Sequence, residues 1–207
     1  DLTYEAFDLA EKWRMPVMVL GDGMIGQMME GVTFKPDRDL ASLPKMEWAV
    51  GNQYKTHREI HHVTSLNLDP ASFEKDINKR YERYEEIKKS EIRYEEVNLD
   101  KAELIFVAYG TSSRTCLGAL EAAKAQGIEI GLFRPITLWP FPYARLAELA
   151  KKGKRFLTVE MSKGQMVEDV RLAVNGAVPV DFYGRCGGVV PSEEEILAEA
   201  KRLLGRK

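Results

Sequence analysis

The sequence predicts an α/β protein. Its main body is a parallel open sheet with helices on both faces, preceded by a partial α/β piece and a helical linker. Three observations predict this. Short apolar, β-branched runs alternate with segments of helical period four times between Leu104 and Leu204. The runs are mostly apolar, as strands buried on both faces are. Glycine, proline and polar residues fall between the runs, where the chain must turn.

Composition bounds the function. The chain has 207 residues, enough for one large domain or one and a half small ones. Charged residues make up 30% and hydrophobic residues 44%, ordinary values for a globular protein. The 30 basic and 32 acidic residues are well mixed and leave no nucleic-acid footprint. No apolar run approaches a membrane span, and no signal peptide is visible, so no membrane partner is expected. Cys116 and Cys186 form no C-x-x-C pair, which fits a reducing cytoplasm. Two cysteines also exclude an iron–sulfur cluster held by this chain alone, since such clusters need about four. The chain opens at Asp1, not Met, directly into a helical pattern, as expected of a fragment.

Leu2, Ala6, Leu9, Ala10 and Trp13 mark one face of a helix that stops before Pro16. Pro16–Leu20 reads as a buried strand. Gly21-Asp22-Gly23-Met24-Ile25-Gly26 then matches G-x-G-x-x-G. The dinucleotide fingerprint also needs a helix, a second strand and an acid about 20 residues on. Gly31, Pro36 and Pro44 follow instead. The stretch is therefore read as a glycine-rich loop at a strand end, with Asp22 exposed and lining a cleft.

Residues 31–69 are irregular and hold His57, His61 and His62. The spacing of His57 and His61 suits a metal, but the zinc-protease pattern needs Glu where Arg58 stands. No further ligand set is evident, so no metal is expected and the histidines are read as surface or interface residues. Asp69-Pro70 is a helix start, with the acid as cap and proline at the first position. Phe73, Ile77, Tyr81, Tyr84 and Ile87 form an apolar stripe, flanked by Asp76–Arg80 and Glu85–Lys89 ion pairs. This helix is expected to connect domains along a surface.

From Glu91 a compact domain follows. Leu104–Ala108 is a strand, then Gly110-Thr111-Ser112-Ser113 turns into a helix carrying Cys116, Leu117, Leu120 and Ala123. Ile128–Phe133 is the next strand, followed by Arg134-Pro135 and the proline-rich Trp139–Pro142. A helix over Tyr143–Lys151 leads to the strand Phe156–Val159. Glu160 to Gly164 is a turn, and Met166, Val167, Val170 and Val174 predict a helix from Gln165. Val178–Phe182 is the fourth strand. Ser192 and Glu195 form a capping box for the last helix.

Two turns are candidate sites, because function in open α/β sheets collects at the carboxyl ends of strands. At Gly110–Arg114, helix N–H groups with Ser112, Ser113 and Arg114 could hold an anion. The plainer reading, that Ser112 or Ser113 caps the helix, is favoured. At Glu160–Gln165, an acid leaves a strand and a glycine makes the bend. The plain alternative is a simple turn with a solvated acid.

LIFVAYGTSSR, GLFRPITLWPFP and TVEMSKGQMVEDVRLAV together resemble the second domain of the α subunit of 2-oxoacid:ferredoxin oxidoreductases, most nearly the branched-chain (2-oxoisovalerate) type. That domain is equivalent to the transketolase C-terminal domain. AFDLAEKWRMPVMVLGDGMIGQMME is similar to the end of the same subunit's pyrimidine-binding domain. The resemblance divides the chain at 1–34 (end of the pyrimidine-binding domain), 35–98 (linker with a long helix) and 99–207 (domain II). It implies thiamine diphosphate with Mg2+ shared with a partner subunit, iron–sulfur clusters on other subunits, coenzyme A as co-substrate, and ferredoxin as an indirect partner. It also implies that the glutamate contacting the aminopyrimidine lies upstream of residue 1, so no catalytic residue is nominated. Asp22 is expected to face the cofactor. Arg134, Glu160, Gly164 and Gln165 are expected to form a substrate or interface rim. Many relatives carry Asn where Ser162 stands, a departure that weakens any hydrogen-bond role there. Two other readings stay open: a subunit-interaction module without catalysis, and another thiamine diphosphate enzyme of the transketolase type.

Overall fold

The structure, a computed structural model, describes residues 1–37, 39, 41, 43, 46, 48–50 and 60–206. The chain divides into two compact units, Asp1–Val19 with Met29–Glu85, and Leu20–Met28 with Glu86–Lys207.

In the first unit, helix α1 spans Leu2–Trp13 and ends on Arg14 in the left-handed region. The strand expected at Pro16–Leu20 does not form. Met18 and Leu20 are 80% and 60% exposed. A strand exists only beside a partner that takes its N–H and C=O groups, and none lies there among the described residues. An apolar run reports a tendency to be buried; it does not supply the neighbour. His61 and His62 are exposed. His57, with Arg58, Pro44, Gly51 and Asn52, lies outside the described residues.

Between Leu20 and Met28 the chain makes one short helix, α2 (Gly23–Gln27), with Asp22 as its N-cap. Helix α3 spans Pro70–Ser90 and crosses the Glu85–Glu86 boundary between the units. As expected, Asp69 caps its start, accepting from the Ser72 N–H at 2.8 Å. Of the stripe it carries, Phe73 and Tyr81 are exposed, Ile77 and Tyr84 half-buried, and only Ile87 is buried. On its polar side Asp76 accepts from the Asn67 amide and Lys89 meets Glu86.

The second unit is built on five strands: β1 (Tyr94–Val97), β2 (Leu104–Val107), β3 (Ile130–Pro135), β4 (Arg155–Glu160) and β5 (Val180–Gly184), in the order β1-β3-β2-β4-β5. Four strands run parallel, and β1 is an antiparallel edge against β3, with Glu96 opposite Phe133. Sequence reading missed β1, because all four of its residues are exposed and two are glutamates. That composition protects an edge from pairing with another chain. The fourth expected strand, Val178–Phe182, is shifted to Val180–Gly184.

Between the strands lie helices α4 (Gly110–Lys124), α5 (Tyr143–Lys151), α6 (Met166–Val174) and α7 (Glu193–Leu204). One face of the sheet (Leu104, Phe106, Leu157, Val159) packs on Cys116, Leu120 and Ala123 of α4 and Ile196 and Ala200 of α7. The other face (Ile105, Val107, Phe156) packs on Leu146 and Leu149 of α5 and Val170 and Val174 of α6. The helix faces follow from handedness. Right-handed crossovers put the leftward β2–β3 connection on one face and the rightward β3–β4 and β4–β5 connections on the other. The Ser192–Glu195 capping box of α7 forms in both directions, at 3.2 and 3.0 Å.

Candidate functional site

The strand order reverses direction between β2 and β4. Helix α4 leaves β2 on one face, and α6 leaves β4 on the other. Such a switch point opens a crevice at the carboxyl ends of the strands, where ligands bind in open α/β sheets. Here it is a cavity of about 280 Å3 lined by Leu20, Asp22, Tyr109, Ser112, Glu160 and Gln165, among others.

The end of β4 is built around Glu160. Its side chain is buried, 4% exposed. The carboxylate accepts from the backbone N–H groups of Gln165, Met166 and Val167 at 3.0, 3.2 and 2.9 Å, and from the Ser162 hydroxyl at 2.9 Å. These are the orphan donors that open helix α6. Ser162 Oγ in turn accepts from the Gly164 N–H at 3.0 Å. Gly164 has φ +109°, and a Cβ there would meet Val167 Cγ1 at 3.1 Å, so the bend needs glycine. Glu160 is thus neither a solvated acid nor an open rim residue. The four N–H and O–H donors offset the cost of burying its charge. Ser162 is hydrogen-bonded on both sides.

The end of β2 is built around Asp22, which arrives from 89 residues away in sequence. One carboxylate oxygen accepts from the Ile25 N–H at 2.9 Å and the Thr111 hydroxyl at 2.8 Å; the other accepts from the Thr111 N–H at 2.9 Å. One side chain therefore caps both α2 and α4. The expectation that Ser112 or Ser113 caps α4 is corrected. The N-cap is Tyr109, which makes no side-chain cap, and the Ser113 hydroxyl donates to the Gly110 carbonyl at 2.8 Å. Gly110 has φ +60°, and a Cβ there would come within 2.9 Å of Asp22 Oδ2. Glycine is needed both for the backbone angle and for the space. Asp22 is half-buried rather than exposed. Burial pushes its carboxyl up, but the hydrogen bonds from Ile25, Thr111 and Met24 outweigh that and hold it below the ordinary value.

Both helices that point into the crevice therefore have a carboxylate of this chain at their positive ends. Tyr109 lies in the same crevice. Burial first, then the charges of Glu160 and Asp22, push its phenol up. Among the described residues, no basic side chain lines the cavity. The crevice is unsuited to phosphate or carboxylate ligands, because the donors that would hold them are already taken.

The remaining predicted residues lie elsewhere. Arg134, at the end of β3, pairs with Glu95 of β1 at 2.7 Å. With Ser113 and Arg114 it lines a second cavity of about 160 Å3, whose walls include Ile25, Val97, Leu117 and Leu132. So the structure places Glu160 and Gln165 at the switch point with Asp22, and Gly164 in the bend beneath them. It gathers Ser113, Arg114 and Arg134 at another place. Sequence reading missed Thr111 and Tyr109; no local signal ties either to Asp22 or Glu160. Among the described residues, no three His, Cys, Asp or Glu side chains gather as a metal would require. Among the same residues, no helix is long and apolar enough to cross a membrane.

Residues 102–196 match the family described as pyruvate:ferredoxin oxidoreductase core domain II. The chain is 44% identical, over 99% of its length, to ketoisovalerate oxidoreductase subunit VorB of Methanothermobacter thermautotrophicus, and spans 57% of that protein. It is 28% identical, over its whole length, to 2-oxoglutarate synthase subunit KorA of Methanothermobacter marburgensis, and spans 60% of it. Among solved structures, 2-oxoglutarate:ferredoxin oxidoreductase from Magnetococcus marinus, with 2-oxoglutarate, coenzyme A and succinyl-CoA bound, is similar in fold. The TM-score is 0.56 at 21% identity, covering 66% of this chain and 24% of that one.

Proposed function

We propose that the chain belongs to the α-subunit family of 2-oxoacid:ferredoxin oxidoreductases and is the second-domain portion of an enzyme that oxidatively decarboxylates a branched-chain 2-oxoacid. The acyl group would pass to coenzyme A and the electrons, by way of iron–sulfur clusters on other subunits, to ferredoxin. The observation that supports this reading is the 44% identity, along 99% of the chain, to a ketoisovalerate oxidoreductase subunit. The proposed division is the end of a pyrimidine-binding domain at 1–34, a linker at 35–98 and domain II at 99–207. A cytoplasmic, multi-subunit assembly is part of the same reading.

Thiamine diphosphate with Mg2+ does not fit the switch-point crevice. The helix donors that a diphosphate would use are held by Asp22 and Glu160. No cluster of metal-binding side chains is present among the described residues. We assign the cofactor to another part of the complex, and to this portion the task of assembly. Asp22 then serves as a structural anchor rather than a cofactor contact. Glu160, Gly164 and Gln165 shape the strand end that faces a partner.

The test is reductive assay of the full-length parent subunit co-expressed with its partners. Coenzyme A-dependent reduction of ferredoxin is measured with 3-methyl-2-oxobutanoate, 2-oxoglutarate and pyruvate. The highest kcat/KM is expected for the branched substrate. Preference for 2-oxoglutarate would overturn the substrate class, and no reduction with any of the three would overturn the activity.

A further inference from the structure

The second cavity is not used by anything above. It lies between the first half of α4, the antiparallel edge β1 and the end of β3, closed on one side by Ile25 of α2. Its lining divides by chemistry. Arg114 comes from the helix, Arg134 from β3, and Glu95 from β1 sets an acid beside them. Ile25, Val97, Leu117 and Leu132 supply aliphatic wall. Val97 and Leu117 are 37% and 39% exposed, so an aliphatic group seated there would remove apolar surface from water. The volume, about 160 Å3, is below the roughly 300–1,000 Å3 of sites for drug-sized ligands, which limits an occupant to a few heavy atoms.

We propose that this cavity binds a small carboxylate with a branched aliphatic body. The arginines would receive the carboxylate and the Ile25, Val97, Leu117 and Leu132 wall the branched carbons. A guanidinium presents five donors in a planar fork. Glu95 engages Arg134 through Nη1 at 2.7 Å, so a ligand carboxylate shares that arginine with Glu95. Glu95 is thus a built-in competitor that sets the affinity. Inorganic phosphate could meet the arginines but would leave the aliphatic wall wet. A long-chain acid exceeds the volume. The branched body is the one respect in which this inference rests on the proposed substrate class.

The experiment is equilibrium binding of 2-methylpropanoate, acetate and inorganic phosphate to the parent complex, followed calorimetrically. The wild type is compared with Arg134→Leu, Arg114→Leu and Glu95→Gln. Expected are binding of 2-methylpropanoate at least tenfold tighter than acetate or phosphate, a loss of at least tenfold in each arginine variant, and a gain of several-fold in Glu95→Gln. The gain cannot come from a variant that fails to fold. No binding of 2-methylpropanoate, or binding unchanged in both arginine variants, overturns the site. Phosphate binding as tightly as 2-methylpropanoate overturns the aliphatic specificity. None of these readings requires turnover, so failure of the proposed activity is seen separately, in the assay with 3-methyl-2-oxobutanoate.

Discussion

The Asp22 carboxylate holds Thr111 twice, through the backbone N–H at 2.9 Å and the hydroxyl at 2.8 Å. The same carboxylate caps α2 through Ile25. Replacing it should therefore loosen two helix starts at once. Asp22→Ala is expected to cost about 1–3 kcal/mol, from the usual worth of a cap and of a charge-assisted hydrogen bond. Urea unfolding of the chain measures it. A midpoint unchanged from wild type would rule out the double cap.

The same residue gives a pH dependence with a definite sign. Its folded pKa lies below the unfolded value near 3.9. Its contribution is then fully present above about pH 5 and is lost as pH falls through the lower folded value. The stability difference between wild type and Asp22→Asn should shrink steadily as the pH is taken from about 5 toward 3. A difference that grows on acidification contradicts this.

Gly110→Ala should be costly for two reasons that can be separated. The left-handed backbone angle costs about 1 kcal/mol or more for a residue with a Cβ. The Asp22 oxygen 2.9 Å from the new Cβ adds a clash. A double-mutant cycle isolates the second term. In the Asp22→Ala background the cost of Gly110→Ala should fall; equal costs in both backgrounds would show that the close approach does not matter.

Glu160→Gln turns an acceptor of four hydrogen bonds into a group with two donors facing donors. Because the site is buried, about 2–4 kcal/mol should be lost. Ser162→Ala removes one donor and one acceptor and should cost about 1 kcal/mol. The two are compared by denaturant midpoints, and a larger loss in Ser162→Ala would reverse the assignment of Glu160 as the organising group.

Thr158, on β4, is fully buried, and its hydroxyl has no hydrogen-bond partner among the described residues. An unpaired buried hydroxyl is unfavourable, and valine has nearly the same shape. Thr158→Val should raise stability by about 1 kcal/mol, read as a higher thermal midpoint. A lower midpoint would mean that the hydroxyl has a partner.

How much could be read from the chain alone depended on where the determining partner lies. Phe156-Leu157-Thr158-Val159 is mostly apolar and ends in two β-branched residues, so β4 was legible. Met166, Val167, Val170 and Val174 carried α6, and Ser192 with Glu195 announced its own cap. These are local patterns. The edge β1 was illegible because Tyr94-Glu95-Glu96-Val97 is written for solvent, and only its pairing with Phe133 and Arg134 makes it a strand. Pro16–Leu20 failed in the opposite sense: its apolar run was legible and its neighbour was not there. Glu160 was located at the right turn with the wrong environment, since burial of an acid depends on donors five to seven residues on. Asp22 was singled out, but nothing in its neighbourhood points to Thr111.

The two carboxylate caps differ most in the length of chain they close. Glu160 reaches donors five to seven residues ahead, and Asp22 reaches across 89. Closing the longer loop costs about 2 kcal/mol more chain entropy, by the logarithmic dependence on loop length. The β4–α6 corner can therefore set during early folding from its own sequence. The segment bearing Asp22 can be fastened only after β2 and α4 are in place. Of the two carboxylate contacts, the one at Asp22 carries the larger loop-closure cost.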